Sequence, residues 1–266
     1  MSTNQKYALI TGGTSGIGYE LAKLFAKDQY NLVIVARNEA ELSKTATELK
    51  QQGVEVITIA KDLFKREAPA EVYDEVKAKG IQIDVLVNDA GQGQYGLFSE
   101  TDINRELDII QLNIGATISL IKCYLPEMLA RKDGKILNLS SIAGKTPGPY
   151  QSVYHGTKAF IQSFTEAIRS ENKGSGVTIT ALLPGATETD FFNKAEMQDS
   201  KIVQEGGMSN AADVAKDGYE ALMSGDDMVI SGFKNKAMVG MTSVTPDHLV
   251  ADMMKKQQEP VDKSEK

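Results

Sequence analysis

A short apolar run, Tyr7-Ala8-Leu9-Ile10, meets Thr11-Gly12-Gly13-Thr14-Ser15-Gly16-Ile17-Gly18 and passes at once into a helical pattern from Tyr19 to Lys27. Strand, glycine-rich turn and helix in immediate succession leave few folds open. Glycine lets backbone approach a phosphate closely, and a helix start offers unpaired N–H groups at the positive end of its dipole. The spacing is G-x-x-x-G-x-G, not the commoner G-x-G-x-x-G.

The same alternation continues. Asn31–Ala36 reads as a buried strand, too continuously apolar for a solvated sheet face. A charged helix from Glu39 to Gln52 closes at Gly53, and a third strand covers Val54–Ile59. A helix over Arg66–Lys79 closes at Gly80, a fourth strand spans Ile83–Val87, and Asn88-Asp89-Ala90-Gly91 follows. Next come a long helical region, Ile103–Arg131, with Asn113 near its middle, and a strand, Lys135–Leu139, that ends in Ser140-Ser141. A loop then leads to a helix from about Gln151 to Asn172, and a strand over Val177–Leu183 stops at Pro184-Gly185. Alternating strands and helices predict a parallel sheet covered on both faces. Right-handed crossovers place the carboxyl ends of all strands on one edge, where open α/β sheets bind ligands. Gly12–Gly18, Arg37, Asp62, Asn88–Gly91, Ser141 and Pro184-Gly185 all fall on that edge.

Tyr-x-x-x-Lys occurs three times, at Tyr19/Lys23, Tyr73/Lys77 and Tyr154/Lys158. The first two read as polar pairs on wet helix faces. Only the third follows a strand ending in two hydroxyls, with Tyr154 thirteen positions after Ser141. A hydroxyl, a phenol and an amine can converge there on one small reacting group.

Composition bounds the remaining classes. A chain of 266 residues suffices for one α/β domain, and no run approaches the roughly 20 apolar residues of a membrane span. A formal charge of −7 argues against non-specific nucleic-acid binding, and two histidines exclude a multi-histidine metal site. The single cysteine, Cys123, forms no intrachain disulfide and suits the reducing cytosol. The start lacks the apolar core of a signal peptide. Residues 1–254 are expected to form the domain, and the polar stretch from Lys255 to Lys266 a disordered tail.

Together, Thr11-Gly12-x-x-x-Gly16-x-Gly18, Asp62-Leu63, Asn88-x-Ala90-Gly91, Asn113, Ser141, Tyr154-x-x-x-Lys158 and Pro184-Gly185-x-x-x-Thr189 resemble the short-chain dehydrogenase/reductase family in its single-domain branch. The resemblance runs from about Lys6 to Gly232. It implies a Rossmann-type doubly wound sheet and a nicotinamide dinucleotide bound by Gly12, Thr14, Ser15, Gly16, Ile17, Gly18, Asp62, Leu63, Asn88, Ala90, Gly91, Tyr154, Lys158, Pro184, Gly185 and Thr189. It also implies that Tyr154 exchanges a proton with a carbonyl or alcohol oxygen, that Ser141 holds that oxygen, and that Lys158 lowers the phenol's pKa and binds the nicotinamide ribose. Asn113 would complete a proton path through water. Asp89 departs from the pattern, since the family usually has a second asparagine there.

The end of the second strand sets the cofactor expectation. Ala36 stands where NAD-using relatives place an aspartate, and Arg37 follows, so NADP(H) is expected, with Arg37 meeting the 2′-phosphate. No second basic residue is evident from the glycine turn. The resemblance further implies a homodimer or homotetramer and a cytoplasmic small-molecule carbonyl or alcohol oxidoreductase. Alternatives are a non-catalytic nucleotide-sensing protein on the same fold and a sugar-nucleotide epimerase, whose relatives carry a larger C-terminal domain. Thr189–Met208 is expected to be a mobile lid over the substrate.

Overall fold

The computed structural model describes residues 5–261. In chain order its elements are β1 (Tyr7–Thr11), α1 (Gly16–Lys27), β2 (Asn31–Ala36), α2 (Glu39–Lys50), β3 (Val56–Ala60), α3 (Ala68–Ala78), β4 (Val85–Asn88), α4 (Ile103–Ile110), α5 (Thr117–Arg131), β5 (Gly134–Leu139), α6 (Ser152–Glu171) and β6 (Val177–Leu183). Short helices α7 (Phe191–Lys194) and α8 (Lys201–Gln204) follow, then α9 (Ala211–Ser224), β7 (Met228–Ile230), α10 (Phe233–Thr242) and α11 (Asp247–Gln258). One seven-stranded sheet, ordered β3-β2-β1-β4-β5-β6-β7, is parallel throughout. This is the doubly wound, single-domain Rossmann-type fold.

Period-two alternation divides the strand residues between two cores. Ala8, Ile10, Leu32, Ile34 and Leu137 join a core with α1, α2 and α9. Leu9, Val33, Val35, Leu86 and Ile136 turn the other way and join one with α3 and α5. Because both faces are covered, β2 is apolar at every position after Asn31, not at every second one. Burying a large aliphatic side chain contributes about 1.5–3 kcal/mol, so these central strands dominate stability.

Chain order reverses at the centre, with β1 lying between β2 and β4. The loops after β1 and β4 therefore diverge and leave a crevice above the sheet edge. By length and composition alone, the continuous helix Ile103–Arg131 could cross a membrane. Here Leu112, Ala116, Leu120, Ile121, Tyr124 and Met128 bury its apolar side against the sheet.

Two features differ from the sequence expectation. Ile103–Arg131 is helical throughout, but residues Gln111–Ala116 form a π-helical turn between α4 and α5. Its wider ring re-aims side chains in mid-helix, and Asn113 lies within it. The polar stretch from Lys255 is not a disordered tail as far as Val261: α11 continues to Gln258, Pro260 bridges to Ser200, and the Val261 N–H donates to the Asp199 carbonyl at 2.8 Å. Polar composition misled because α11 buries only one side, through Val250, Met254 and Gln258. Residues 262–266 lie outside the described residues.

Candidate active site

The crevice is a cavity of about 990 Å³ lined by the glycine turn, the ends of β2, β3, β4, β5 and β6, and parts of α6, α10 and α11. Gly12 and Gly16 have φ of +74° and +56°, which other residues adopt with strain. A Cβ on Gly16 would stand 2.8 Å from Thr189 Cγ2, so the turn and the β6 loop approach each other too closely for any side chain. Ser15 is the N-cap of α1, yet its side chain makes no capping bond. The Gly18 N–H meets the Asp89 carboxylate, the N–H groups before it at the start of α1 are left to a ligand, and the turn fits a dinucleotide's pyrophosphate.

At the opposite end, Arg37 follows β2, lines the cavity and lies 5.0 Å from the Phe64 ring centroid. Arg105 packs on the same ring at 5.2 Å. Lys61 also lines this end, ion-paired with Glu71 at 2.7 Å. It is a second cation that the glycine turn gave no reason to expect. Only the pairing of β2 with β3 brings it beside Arg37, with Ala36 opposite Ala60.

The two serines after β5 separate. Ser140 Oγ donates to the Lys158 carbonyl at 2.8 Å. Ser141 Oγ accepts the Ala143 N–H at 3.1 Å and donates to the Pro184 carbonyl at 3.2 Å. A Cβ on Gly144 would fall 2.7 Å from the Lys158 carbonyl carbon, so the turn after Ser141 packs directly on the α6 backbone. This packing holds Ser141 beside Tyr154. Tyr154 lies against Phe191, with ring centroids 4.9 Å apart, and Gly93 leaves room for both rings.

Lys158 is buried and its Nζ donates to the Leu139 carbonyl at 2.9 Å, 5.7 Å from the Tyr154 ring centroid. Burial pulls the lysine pKa down to about 8, while Asp89 opposes the shift. Burial also pushes the Tyr154 phenol up to about 12, with Ser141 pulling the other way. The expected lowering of this phenol by Lys158 is therefore not seen in the protein alone. Desolvation of an anion without an adjacent counter-charge dominates.

Asn113 and Asn88 do not line the cavity. Both Asn113 amide hydrogens are committed, to the Gln92 carbonyl and Thr157 Oγ1 at 2.9 Å each, and Oδ1 accepts the Gln92 N–H at 3.0 Å. Asn113 clamps the β4 loop to α6. Asn88 donates to Asn138 Oδ1 at 2.8 Å, and Asn138 donates to Thr165 at 3.0 Å, a buried chain tying β4, β5 and α6 together. Gly18 likewise faces Asp89 and does not line the cavity. Thr14, Ser15, Ile17, Asp62, Leu63, Ala90, Gly91, Pro184, Gly185 and Thr189 do line it. Thr189 Oγ1 also accepts the Phe191 N–H at 3.3 Å, consistent with a cap for the turn into α7.

Sequence reasoning missed α11 as a wall. Gln258 Nε2 meets His155 Nε2 at 3.1 Å, and His155 Nδ1 meets the Thr146 carbonyl at 2.9 Å. The amide must donate to Nε2, so His155 is the neutral tautomer with its proton on Nδ1. Tyr95 adds a bond from its hydroxyl to the Gln258 carbonyl. The signal available was His155 itself, a titratable ring on a helix that also carries Tyr154.

The family model described as short chain dehydrogenase matches residues 6–200. The chain is 34% identical over 190 residues to a short chain dehydrogenase of Pseudocercospora fijiensis, covering 70% of this chain and 61% of that protein. It is 36% identical over 181 residues to a very-long-chain 3-oxoacyl-CoA reductase of Laccaria bicolor, covering 66% of this chain and 53% of that one. The chain thus spans little more than half the length of these relatives. A solved short-chain dehydrogenase from Sphingobium yanoikuyae, in complex with NADPH, superposes with a TM-score of 0.80 at 27% identity, covering 91% and 96% of the two chains.

Proposed function

This chain belongs to the short chain dehydrogenase family, and we propose that it interconverts a carbonyl and an alcohol with NADP(H), through Tyr154. The observation that carries this reading is the convergence of Ser141, Tyr154 and buried Lys158 at the cavity wall. When bound, the dinucleotide supplies or accepts the hydride.

The protein's own part is proton transfer and positioning. Tyr154 gives its phenolic proton to the carbonyl oxygen in reduction and takes it back in oxidation. With the phenol at about 12 and the lysine at about 8, the resting site at neutral pH holds a protonated tyrosine beside a cationic amine. That state is ready for the reductive direction. Ser141 donates a hydrogen bond to the same oxygen as charge develops, exchanging its bond to the Pro184 carbonyl for one to substrate.

Arg37 supports NADP(H). Among the described residues it has no ion pair, stands at the end of β2 in the cavity wall, and has no carboxylate at position 36 to repel a phosphate. Substrates reach Tyr154 between Phe191, Phe192, Met197 and Met254, an apolar approach that suits a lipophilic carbonyl compound such as a 3-oxoacyl thioester. A small-molecule substrate and a homo-oligomer packed through α4 and α6, where Ile103, Leu107, Ile110 and Phe160 are exposed, complete the reading. The test is NADPH oxidation by the purified protein with aldehydes, ketones, ketosteroids and 3-oxoacyl thioesters. Oxidation with at least one class, abolished in Tyr154→Phe, supports the reading. Binding of NADPH without turnover of any class favours the nucleotide-sensing alternative.

A further inference from the structure

Asp89 sets its carboxylate directly against the glycines of the turn. Its Oδ2 lies under Gly18, where an added Cβ would collide with it, and 2.9 Å from the position a Cβ would take on Gly12. Its own N–H and that of Ala90 both donate to Thr11 Oγ1 at 3.1 Å, which fixes the loop to the end of β1. The residue lines the cavity, and its carboxylate packs beneath the glycine turn on which a dinucleotide's pyrophosphate would rest. Three groups bear on that carboxylate: the Gly18 N–H at the start of α1, the Gly12 backbone, and the Lys158 ammonium from α6.

We propose that Asp89 is a positioning residue that couples dinucleotide binding to proton uptake, holding the glycine turn while taking a proton from solvent as the anionic pyrophosphate settles onto α1. The inference rests on the dinucleotide-binding reading above. Two effects act in the same direction on binding. The pyrophosphate brings negative charge to the helix start beside Asp89, and the cofactor removes water from the cavity wall. Each disfavours the carboxylate relative to the carboxylic acid. The starting point favours a response near neutrality, because burial already pushes this carboxyl up to about 7, against the opposing pull of Lys158 and the Gly18 N–H. An asparagine, the residue usual in the family, keeps the shape and the contacts but cannot titrate.

Linkage fixes the sign. Affinity for the dinucleotide is full below the free-protein pKa and falls as pH rises through it, about tenfold for each unit by which binding raises that pKa. Lys158 titrates nearby and its pKa is itself held up by the Asp89 charge, so the wild-type and Asp89→Asn pair is compared again in a Lys158→Met background. NADPH is titrated calorimetrically at pH 7 into wild type and Asp89→Asn, each in two buffers of different ionisation enthalpy. Wild type is expected to take up about half a proton more per NADPH than the variant, since a group at its midpoint is half ionised. The subtraction also removes the contribution of the cofactor's own 2′-phosphate. In a parallel fluorescence titration, Asp89→Asn should bind NADPH more tightly than wild type at pH 8 and equally at pH 6.

Equal proton uptake in the two proteins overturns the inference. Should the variant not fold, zero uptake by wild type at pH 7 overturns it without the variant. If wild type binds neither NADPH nor NADH at any pH, the dinucleotide reading itself fails, and this inference falls with it.

Discussion

Ser140 Oγ donates to the backbone carbonyl of Lys158 at 2.8 Å. This bond ties the end of β5 to α6 and turns the neighbouring hydroxyl, that of Ser141, toward Tyr154. Ser141→Ala should therefore lower kcat/KM by about 10²–10³-fold, the loss seen when one oxyanion donor is removed. Ser140→Ala should chiefly lower Tm, because it removes a buried hydrogen bond of about 0.5–1.5 kcal/mol. Kinetics and thermal melts of the two variants in parallel check this, and the reverse ranking would place the reacting oxygen at Ser140.

The three Tyr-x-x-x-Lys pairs should separate cleanly in turnover. Tyr19 donates to Glu48 at 2.7 Å and Tyr73 to Glu127 at 2.5 Å, so both phenols are bound to surface carboxylates. Tyr154→Phe should cost about 10²–10⁴-fold in kcat, as expected for loss of a general acid. Tyr19→Phe and Tyr73→Phe should leave kcat within a small factor. Near-normal turnover by Tyr154→Phe on an identified carbonyl substrate would sink the proposed proton transfer.

Cofactor preference should reside at the β2 end. A charge-assisted hydrogen bond contributes roughly 1.5–3 kcal/mol, or about 10- to 150-fold in affinity. Ala36→Asp combined with Arg37→Ile should shift the NADP/NAD ratio of kcat/KM toward NAD by at least the lower figure. Lys61 lies in the same wall, so a residual NADP preference in the double variant should fall further with Lys61→Ala. A wild type that already prefers NAD in a side-by-side titration would refute the role given to Arg37.

The C-terminal helix should behave as structure. Gln258→Ala leaves His155 Nε2 without its donor in a buried setting, a cost of about 1–3 kcal/mol. For a domain of this size that corresponds to roughly 2–12 °C in Tm at about 2–4 °C per kcal/mol. Differential scanning calorimetry of this variant, and of the chain ended after Met254, measures the effect. Unchanged melting in both would restore the view of a dispensable tail.

What the sequence determined by itself is local or strictly ordered along the chain. The continuously apolar run within Asn31–Ala36 requires a sheet buried on both faces. The glycines between Thr11 and Gly18 require a close-approach turn at a helix start. The order Asn88, Asn113, Ser141, Tyr154, Lys158 reads as one site because parallel strands deliver their ends to a common edge. Asp89 was legible as a departure, but not what it would touch.

Tertiary structure decided everything that depends on a partner distant in sequence. Asn113 is a buried clamp because π-turn geometry gives both its amide hydrogens protein partners, and Asn88 because strand pairing sets it against Asn138; no periodicity encodes either. Lys61 reaches the Arg37 end only through the β2–β3 register. Tyr154 has a raised phenol pKa because desolvation depends on the whole wall around it, whereas the four-residue spacing to Lys158 suggested the opposite sign. The polar C-terminal stretch became a cavity wall because one amide, Gln258, found His155 across 103 residues. Composition averages over a segment, while a buried hydrogen bond depends on single atoms meeting, and only the folded chain brings them together.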